Sequence, residues 1–208
     1  MNAVMSDRTG AEEKGGVGIA VFDFDDTLIR GDSLPRFLCE VVGPLRVGLA
    51  VIPAVIGALL GPPAGVDFAG SVKARLLRAT LAGVAVTAAH AAARRLKSRL
   101  VWLSPQRDAL LTHAAAGRRI VVASGALDVY LPILLEGLPV DVILATAMTA
   151  DSGSLTGRLA ADNCVRQAKA DRVAAYLAAS APTGPIWGYG NHPSDGPMLA
   201  LVDHPTVI

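Results

Sequence analysis

Short apolar runs and long Ala- and Leu-rich stretches alternate along the chain. Gly18 to Phe24 is apolar up to Phe22, the pattern of a strand buried on both faces of a parallel sheet. From about Ser33 to Leu103 the sequence reads as helical, with almost no strand signal. Ser104-Pro105 predicts another helix, Ser as N-cap and Pro at the first helical position, running to about Ala116. Arg119 to Ala123 predicts a second strand ending at Ser124-Gly125, then a helix over 127–136 and a third strand over 140–144. Met148 to Leu159 carries Asp151-Ser152-Gly153-Ser154, a hairpin-type turn between alternating residues. A helix over about 165–179 follows, then a fourth strand over 185–189 with Gly190-Asn191 at its end. A short helix over 194–202 and a last strand over 206–208 complete the pattern. Strands separated by helices predict βαβ units and an α/β fold with a mostly parallel sheet.

Three of the predicted strand ends carry polar residues: Asp23 with Asp25, Ser124-Gly125, and Asn191 with Asp195. In a parallel sheet these ends share one edge, where open α/β sheets bind their ligands. Asp23 and Asp25 are two apart, so in extended backbone they share a face. Carboxylates so placed can share a divalent cation, or divide the roles of nucleophile and proton donor. Asp and Thr also favour turns, and an Asx-type turn would explain Asp23 to Thr27 without any chemistry.

Composition narrows the classes. With 208 residues the chain can hold one domain with an insertion, or two small ones. It is 52% hydrophobic and 18% charged, and a net charge of +1 gives no field that would attract nucleic acid. Cys39 and Cys164 lack metal-type spacing and read as the reduced thiols of a cytoplasmic protein. Residues 1–16 mix charge with small residues and are expected to be a flexible tail rather than a signal peptide. Val41 to Leu60 has about the ~20-residue length of a spanning helix. Pro44, Arg46 and Pro53 interrupt it, so two short core helices are the leading expectation, with peripheral membrane contact through an apolar face as the rival.

The polar motifs also spell a family. Asp23-Phe24-Asp25-Asp26-Thr27 resembles the first motif of the haloacid dehalogenase superfamily, DxDxT, and Ser124 at its strand end looks like the second. Asn163-Cys164-Val165-Arg166-Gln167-Ala168-Lys169 resembles the third motif of the phosphoserine-phosphatase-like branch, NCxGxxK. Residues 190–199, Gly-Asn-His-Pro-Ser-Asp-Gly-Pro-Met-Leu, resemble the fourth, GDSxxDxPML. The four agree in order and spacing over about Gly18 to Ile208. The continuation Thr27 to Ser33 and the apolar 41–60 segment look most like phosphatidylglycerophosphatase-C-like members.

That resemblance implies a Rossmann-like core over 17–32 and 104–208, with an all-helical cap inserted at 33–103. It implies a Mg²⁺-dependent phosphomonoesterase: Asp23 as nucleophile forming an aspartyl-phosphate, Asp25 as general acid and base, and Ser124 and Gly125 holding phosphoryl oxygens. Lys169 would neutralise charge, Thr27 would contact the substrate, and Asp23, Asp25, Asn191 and Asp195 would form the metal site. Phe68-x-x-Ser71-x-x-x-Arg75 echoes the cap pattern of phosphoserine phosphatases, with Asp32 where they carry Glu, which makes Arg75 a candidate for a substrate carboxylate. The substrate implied is a phosphorylated small molecule or a lipid-linked phosphate.

Each assignment has a plainer rival. Ser124 fits a helix N-cap, Lys169 and Arg75 fit solvated helix charges, and Asp195 fits a helix-start carboxylate. There are also departures from the family pattern. Asn191 stands where the family has a carboxylate ligand, which removes one negative charge from the metal site. This is the argument for a weakened protein that only binds a phosphorylated ligand. Arg166 stands where the branch has Gly, and His192 replaces a common Ser. The chain stops at Ile208, earlier than the branch commonly ends, so its last strand is expected to be an edge.

Overall fold

The computed structural model describes residues 17–61, 67–191 and 193–208. The predicted 1–16 tail, Pro62-Pro63 and His192 lie outside the described residues. Five parallel strands form the sheet, in the order β3-β2-β1-β6-β7. They are β1 (Ile19–Phe22), β2 (Arg119–Leu127), β3 (Val142–Thr146), β6 (Ile186–Gly190) and β7 (His204–Val207). An antiparallel hairpin, β4 (Met148–Asp151) with β5 (Ser154–Leu159), stands beside it.

β1 is buried along its whole length, and its alternating side chains feed two cores. Ala20 and Phe22 join the larger core, where Phe22 stacks on Tyr189 with ring centroids 4.4 Å apart. Ile19 and Val21 join the smaller, with Val173 of α7 (Arg166–Ser180) and Met198 and Leu199 of α8 (Gly196–Leu199). Phe22 is in register with Val122 on one side and Tyr189 on the other. The residues that follow these three positions, Asp23, Ala123-Ser124 and Gly190-Asn191, therefore lie at one level along the sheet.

Between β1 and β2 lie α1 (Ser33–Val42), α2 (Pro44–Leu59), α3 (Phe68–Leu81), α4 (Val86–Lys97) and α5 (Ser104–Ala115). Asp32 caps α1 by accepting from the Leu34 N–H at 2.8 Å, and Asp67 caps α3 by accepting from Gly70 at 2.7 Å. The turn after α3 is clamped to the hairpin by main-chain bonds: Gly83 N–H to Leu155 O, Leu155 N–H to Val84 O, and Val86 N–H to Gly153 O. Gly157 lets α3 lie directly on β5, because a Cβ there would stand 2.7 Å from Arg78 Cα.

Several sequence expectations change in the structure. β2 does not stop at Ser124-Gly125 but continues to Leu127 through a register shift against β3. The helix expected over 127–136 accordingly shrinks to α6 (Leu131–Leu135), with Pro132 in its first turn. Ser104 is the first residue of α5 rather than its cap. The reading of 41–60 as two short core helices does not hold: beyond the end of α1 the segment is one helix, α2, with Pro53 inside it. The chain bends by 119° between α1 and α2, and no single described helix is long and apolar enough to cross a membrane. However, α2 buries only Val47, Ala54 and Ala58, and leaves Leu45, Leu49, Ile52, Ile56 and Leu59 exposed.

Candidate active site

Asp23 follows the last residue of β1 and is held there by its own N–H, which donates to Tyr189 O at 2.8 Å. Its carboxylate is buried, and each oxygen accepts one hydrogen bond. Oδ1 accepts from Lys169 Nζ at 2.6 Å, and Oδ2 accepts from Thr27 Oγ1 at 3.2 Å. Lys169, in the first turn of α7, also donates to Asp195 Oδ1 at 2.5 Å. The other oxygen of Asp195 accepts from the Asn191 N–H at 3.0 Å. Gly190 makes this closure possible, since a Cβ there would stand 2.7 Å from that of Asp195.

Two carboxylates and one ammonium are thus buried together. Burial pushes the Asp23 carboxyl above the ordinary range, against the pull of Lys169 and with help from Asp195. Burial alone would lower Lys169, but Asp23 and Asp195 together raise it, so it keeps its proton.

Asp25 is a second carboxyl on the same edge, with Oδ1 accepting from the Ser33 N–H at 2.8 Å. Burial, then the charge of Asp32, push it up to about 7. Asp26 between the two takes the left-handed backbone, φ 53°, and its side chain accepts from the Gly31 N–H at 2.5 Å. That bond reaches five residues ahead, so it closes the loop after Asp25 and is not the short Asx-type turn expected from the sequence.

Ser124 is buried, and its Oγ accepts from the Ala126 N–H at 3.1 Å, which leaves its hydroxyl hydrogen for another partner. Gly125 is sterically required, since a Cβ would meet Val165 Cγ1 at 2.8 Å. A cavity of about 650 Å³ opens over these groups. Asp23, Asp25, Ser124, Gly125, Lys169 and Asn191 line its floor, and Leu34, Pro35, Val55, Phe68, Val72 and Leu76 of the helical insertion line its apolar walls.

Three site residues sit differently from their sequence assignments. Asp195 lies behind Asp23, with both oxygens engaged, and does not reach the cavity wall. Thr27 faces the Asp23 carboxylate. Arg75 turns away from the cavity onto α2, where its guanidinium packs against Gly57 and reaches Gly61 O at 3.4 Å. Instead Lys73 enters the cavity, donating to Gly125 O and to Asn163 Oδ1, each at 2.7 Å. The sequence placed no role on Lys73. Residues two apart on a helix differ by about 200° around its axis, so Lys73 and Arg75 could not both face the site.

Arg166 takes a left-handed conformation at the start of α7, φ 49°, where the branch pattern has Gly. Its side chain pairs with Asp67 across the mouth of the cavity. Among the described residues no three His, Cys, Asp or Glu side chains form a metal-binding group. The edge instead offers oxygen donors: the Asp23 carboxylate, the Asn191 amide oxygen, which accepts from Ser194 Oγ at 3.1 Å, and main-chain carbonyls. That set suits a hard cation such as Mg²⁺ and is modest in charge.

A parallel sheet with an aspartate pair at its edge and helices inserted after the first strand is an α/β architecture with the site at the carboxyl edge of the sheet. The sequence profile of the haloacid dehalogenase-like hydrolases matches residues 20–200, and the chain belongs to that family. Its fold is similar to several solved structures. A protein of unknown function from Bordetella pertussis Tohama I gives a TM-score of 0.73 at 20% identity, over 92% of this chain and 90% of that one. A HAD family hydrolase from Salmonella enterica serovar Typhi gives 0.66 at 19%, over 90% of this chain. The chain spans only 61% of that hydrolase. A phosphoserine phosphatase solved as an analogue of its phospho-aspartyl intermediate gives 0.63 at 17%, over 92% of this chain and 86% of that one. At these identities the likeness is one of fold.

Proposed function

We propose that the chain is a Mg²⁺-dependent phosphomonoester hydrolase that works through an aspartyl-phosphate on Asp23, with helices α1 to α4 as its cap. The observation that carries this reading is the buried Asp23–Lys169–Asp195 ion-pair chain, opening onto a cavity that Asp25 and Ser124 also line. An ion-paired aspartate held at a strand end is a nucleophile fixed in place.

In the first step an Asp23 oxygen bonds to phosphorus as the ester P–O bond breaks, and Asp25 gives its proton to the leaving alkoxide. In the second, Asp25 takes a proton from water, which attacks the aspartyl-phosphate and releases inorganic phosphate. Lys169 offsets the negative charge that gathers on the phosphoryl group and Asp23. Ser124 Oγ–H and the Gly125 N–H hold phosphoryl oxygens. Asp23, the Asp25 main-chain carbonyl and Asn191 would hold Mg²⁺, which supplies the positive charge that lets an anionic nucleophile approach an anionic ester. Asp195 acts from behind, fixing Lys169 and the Asn191 backbone. The cap walls exclude water from the aspartyl-phosphate.

An amide at position 23 cannot serve as the nucleophile, so a purified, folded Asp23→Asn variant should lose turnover across a panel of phosphoamino acids, sugar phosphates and phosphatidylglycerophosphate. Wild-type-like turnover by that variant would overturn the reading.

The exposed row on α2 favours a lipid-linked phosphate among the possible substrates. Leu45, Leu49, Ile52, Ile56 and Leu59 recur at helical spacing, the helix carries no acidic residue, and Val55 of the same helix lines the cavity. A bilayer surface would cover this row and bring the substrate headgroup to the mouth of the site.

A further inference from the structure

Three cations line the cavity: Lys169, Arg166 and Lys73. Lys169 has two carboxylate partners, and Arg166 has Asp67. Among the described residues Lys73 has no carboxylate within ion-pair distance. Its ammonium carries three N–H groups, and the two acceptors it reaches, Gly125 O and Asn163 Oδ1, are neutral. Asn163 Oδ1 is itself fixed by a second donor, Thr146 Oγ1 at 2.8 Å, so the cradle is built and not incidental.

Withdrawing a cation from water without a counter-charge is costly. Here burial draws Lys73 down to about 8, with Asp32 and then Asp25 the negative charges that support it. Both of these carboxylates line the cavity, and neither is Asp23. Around Lys73 the walls are apolar, with Val72 and Leu76 on its own helix and Leu34 and Pro35 opposite.

We propose that Lys73 is a specificity-determining residue that pairs with an acidic group on the leaving-group side of the phosphomonoester, so that the preferred substrate carries a second anion within a few bonds of its phosphoryl group. This rests on the phosphatase reading above and names a class of substrate within it. Lys73 takes the place that the sequence resemblance gives to Arg75.

The test uses matched esters that differ by one acidic group: O-phosphoserine against O-phosphoethanolamine, and 3-phosphoglycerate against glycerol 3-phosphate. Turnover and equilibrium binding are measured for wild type, Lys73→Met, Lys73→Gln and Arg75→Gln, with p-nitrophenyl phosphate as a probe of basal chemistry. Wild type should prefer the acid-bearing member of each pair by at least about tenfold in kcat/KM, the scale of one charge-assisted hydrogen bond. Both Lys73 variants should lose that preference through KM, while Arg75→Gln keeps the preference. Equal losses on both members of a pair would make Lys73 a phosphoryl or structural contact and overturn the proposal, as would loss of preference in Arg75→Gln alone. If wild type turns over none of these esters, nor p-nitrophenyl phosphate or phosphatidylglycerophosphate, the phosphatase reading fails. The binding arm then decides Lys73 by itself: acid-bearing esters must bind tighter to wild type than to either Lys73 variant, or the proposal falls.

Discussion

Asp23 and Lys169 stand 146 positions apart in the chain and meet at 2.6 Å, both buried, with Asp195 on the far side of the same ammonium. Removing one partner of a buried ion pair strands the other. Lys169→Met leaves two buried carboxylates facing each other, and it should cost about 3–5 kcal/mol of stability. Denaturant unfolding of wild type and variant, both in chelator, measures this directly. A loss under about 1 kcal/mol, the scale of a surface pair, would mean that the ammonium is not the group holding this edge together.

In the proposed Mg²⁺ site Asn191 would supply an oxygen donor but no charge. Asn191→Asp should lower the free Mg²⁺ needed for half-maximal activity, because affinity at oxygen sites rises with ligand charge. A magnesium titration of both proteins checks it. Identical half-saturation would remove Asn191 from the metal site.

The exposed α2 row predicts association with lipid. Wild type should float with vesicles, and an Ile52→Lys, Ile56→Lys double variant should not, since binding scales with buried apolar area. Both positions are exposed, so the variant keeps its fold. Failure of wild type to float would leave a water-soluble phosphate ester as the substrate.

Acid sensitivity should come partly from His113, which does not line the cavity. Its Nδ1 takes a hydrogen bond from Arg118 at 2.9 Å, and Nε2 pairs with the Tyr189 hydroxyl at 2.9 Å. An arginine only donates, so Nδ1 is the unprotonated nitrogen. Burial and then Arg118 lower its pKa from the ordinary 6.5. The unfolded chain therefore takes up this proton at a higher pH than the folded one. His113's contribution is complete above its unfolded pKa and is lost as pH falls through its folded value. Between about pH 7 and 5, stability should fall less steeply in His113→Gln than in wild type. Parallel slopes would assign the acid sensitivity elsewhere.

The sheet and its polar edge were legible in the sequence because both are local signals. The apolar run before Asp23 and the 190–199 motif each announce a strand end without reference to the rest of the chain. The extent of β2 was not legible, since Ala126 and Leu127 suit strand and helix equally and only pairing with β3 decides between them. Nor was the exposure of α2. Its residues are apolar on every side, so periodicity could not say which face would lack a partner. Lys73 was hidden for a related reason. It is one of two basic residues in a short stretch of α3, and the rotation of that helix against the sheet, fixed by Gly157 and the hairpin, selects it over Arg75.

The central claim is that Asp23 carries the phosphoryl group. Rapid acid quench of wild type during turnover, followed by borohydride reduction and peptide mass spectrometry, reads the site of any acyl phosphate. The account predicts modification of Asp23 in the peptide that spans β1, with none in the Asp23→Asn variant and none on Asp25 or Asp195. Turnover with no covalent adduct at Asp23, or an adduct on another residue, would contradict it.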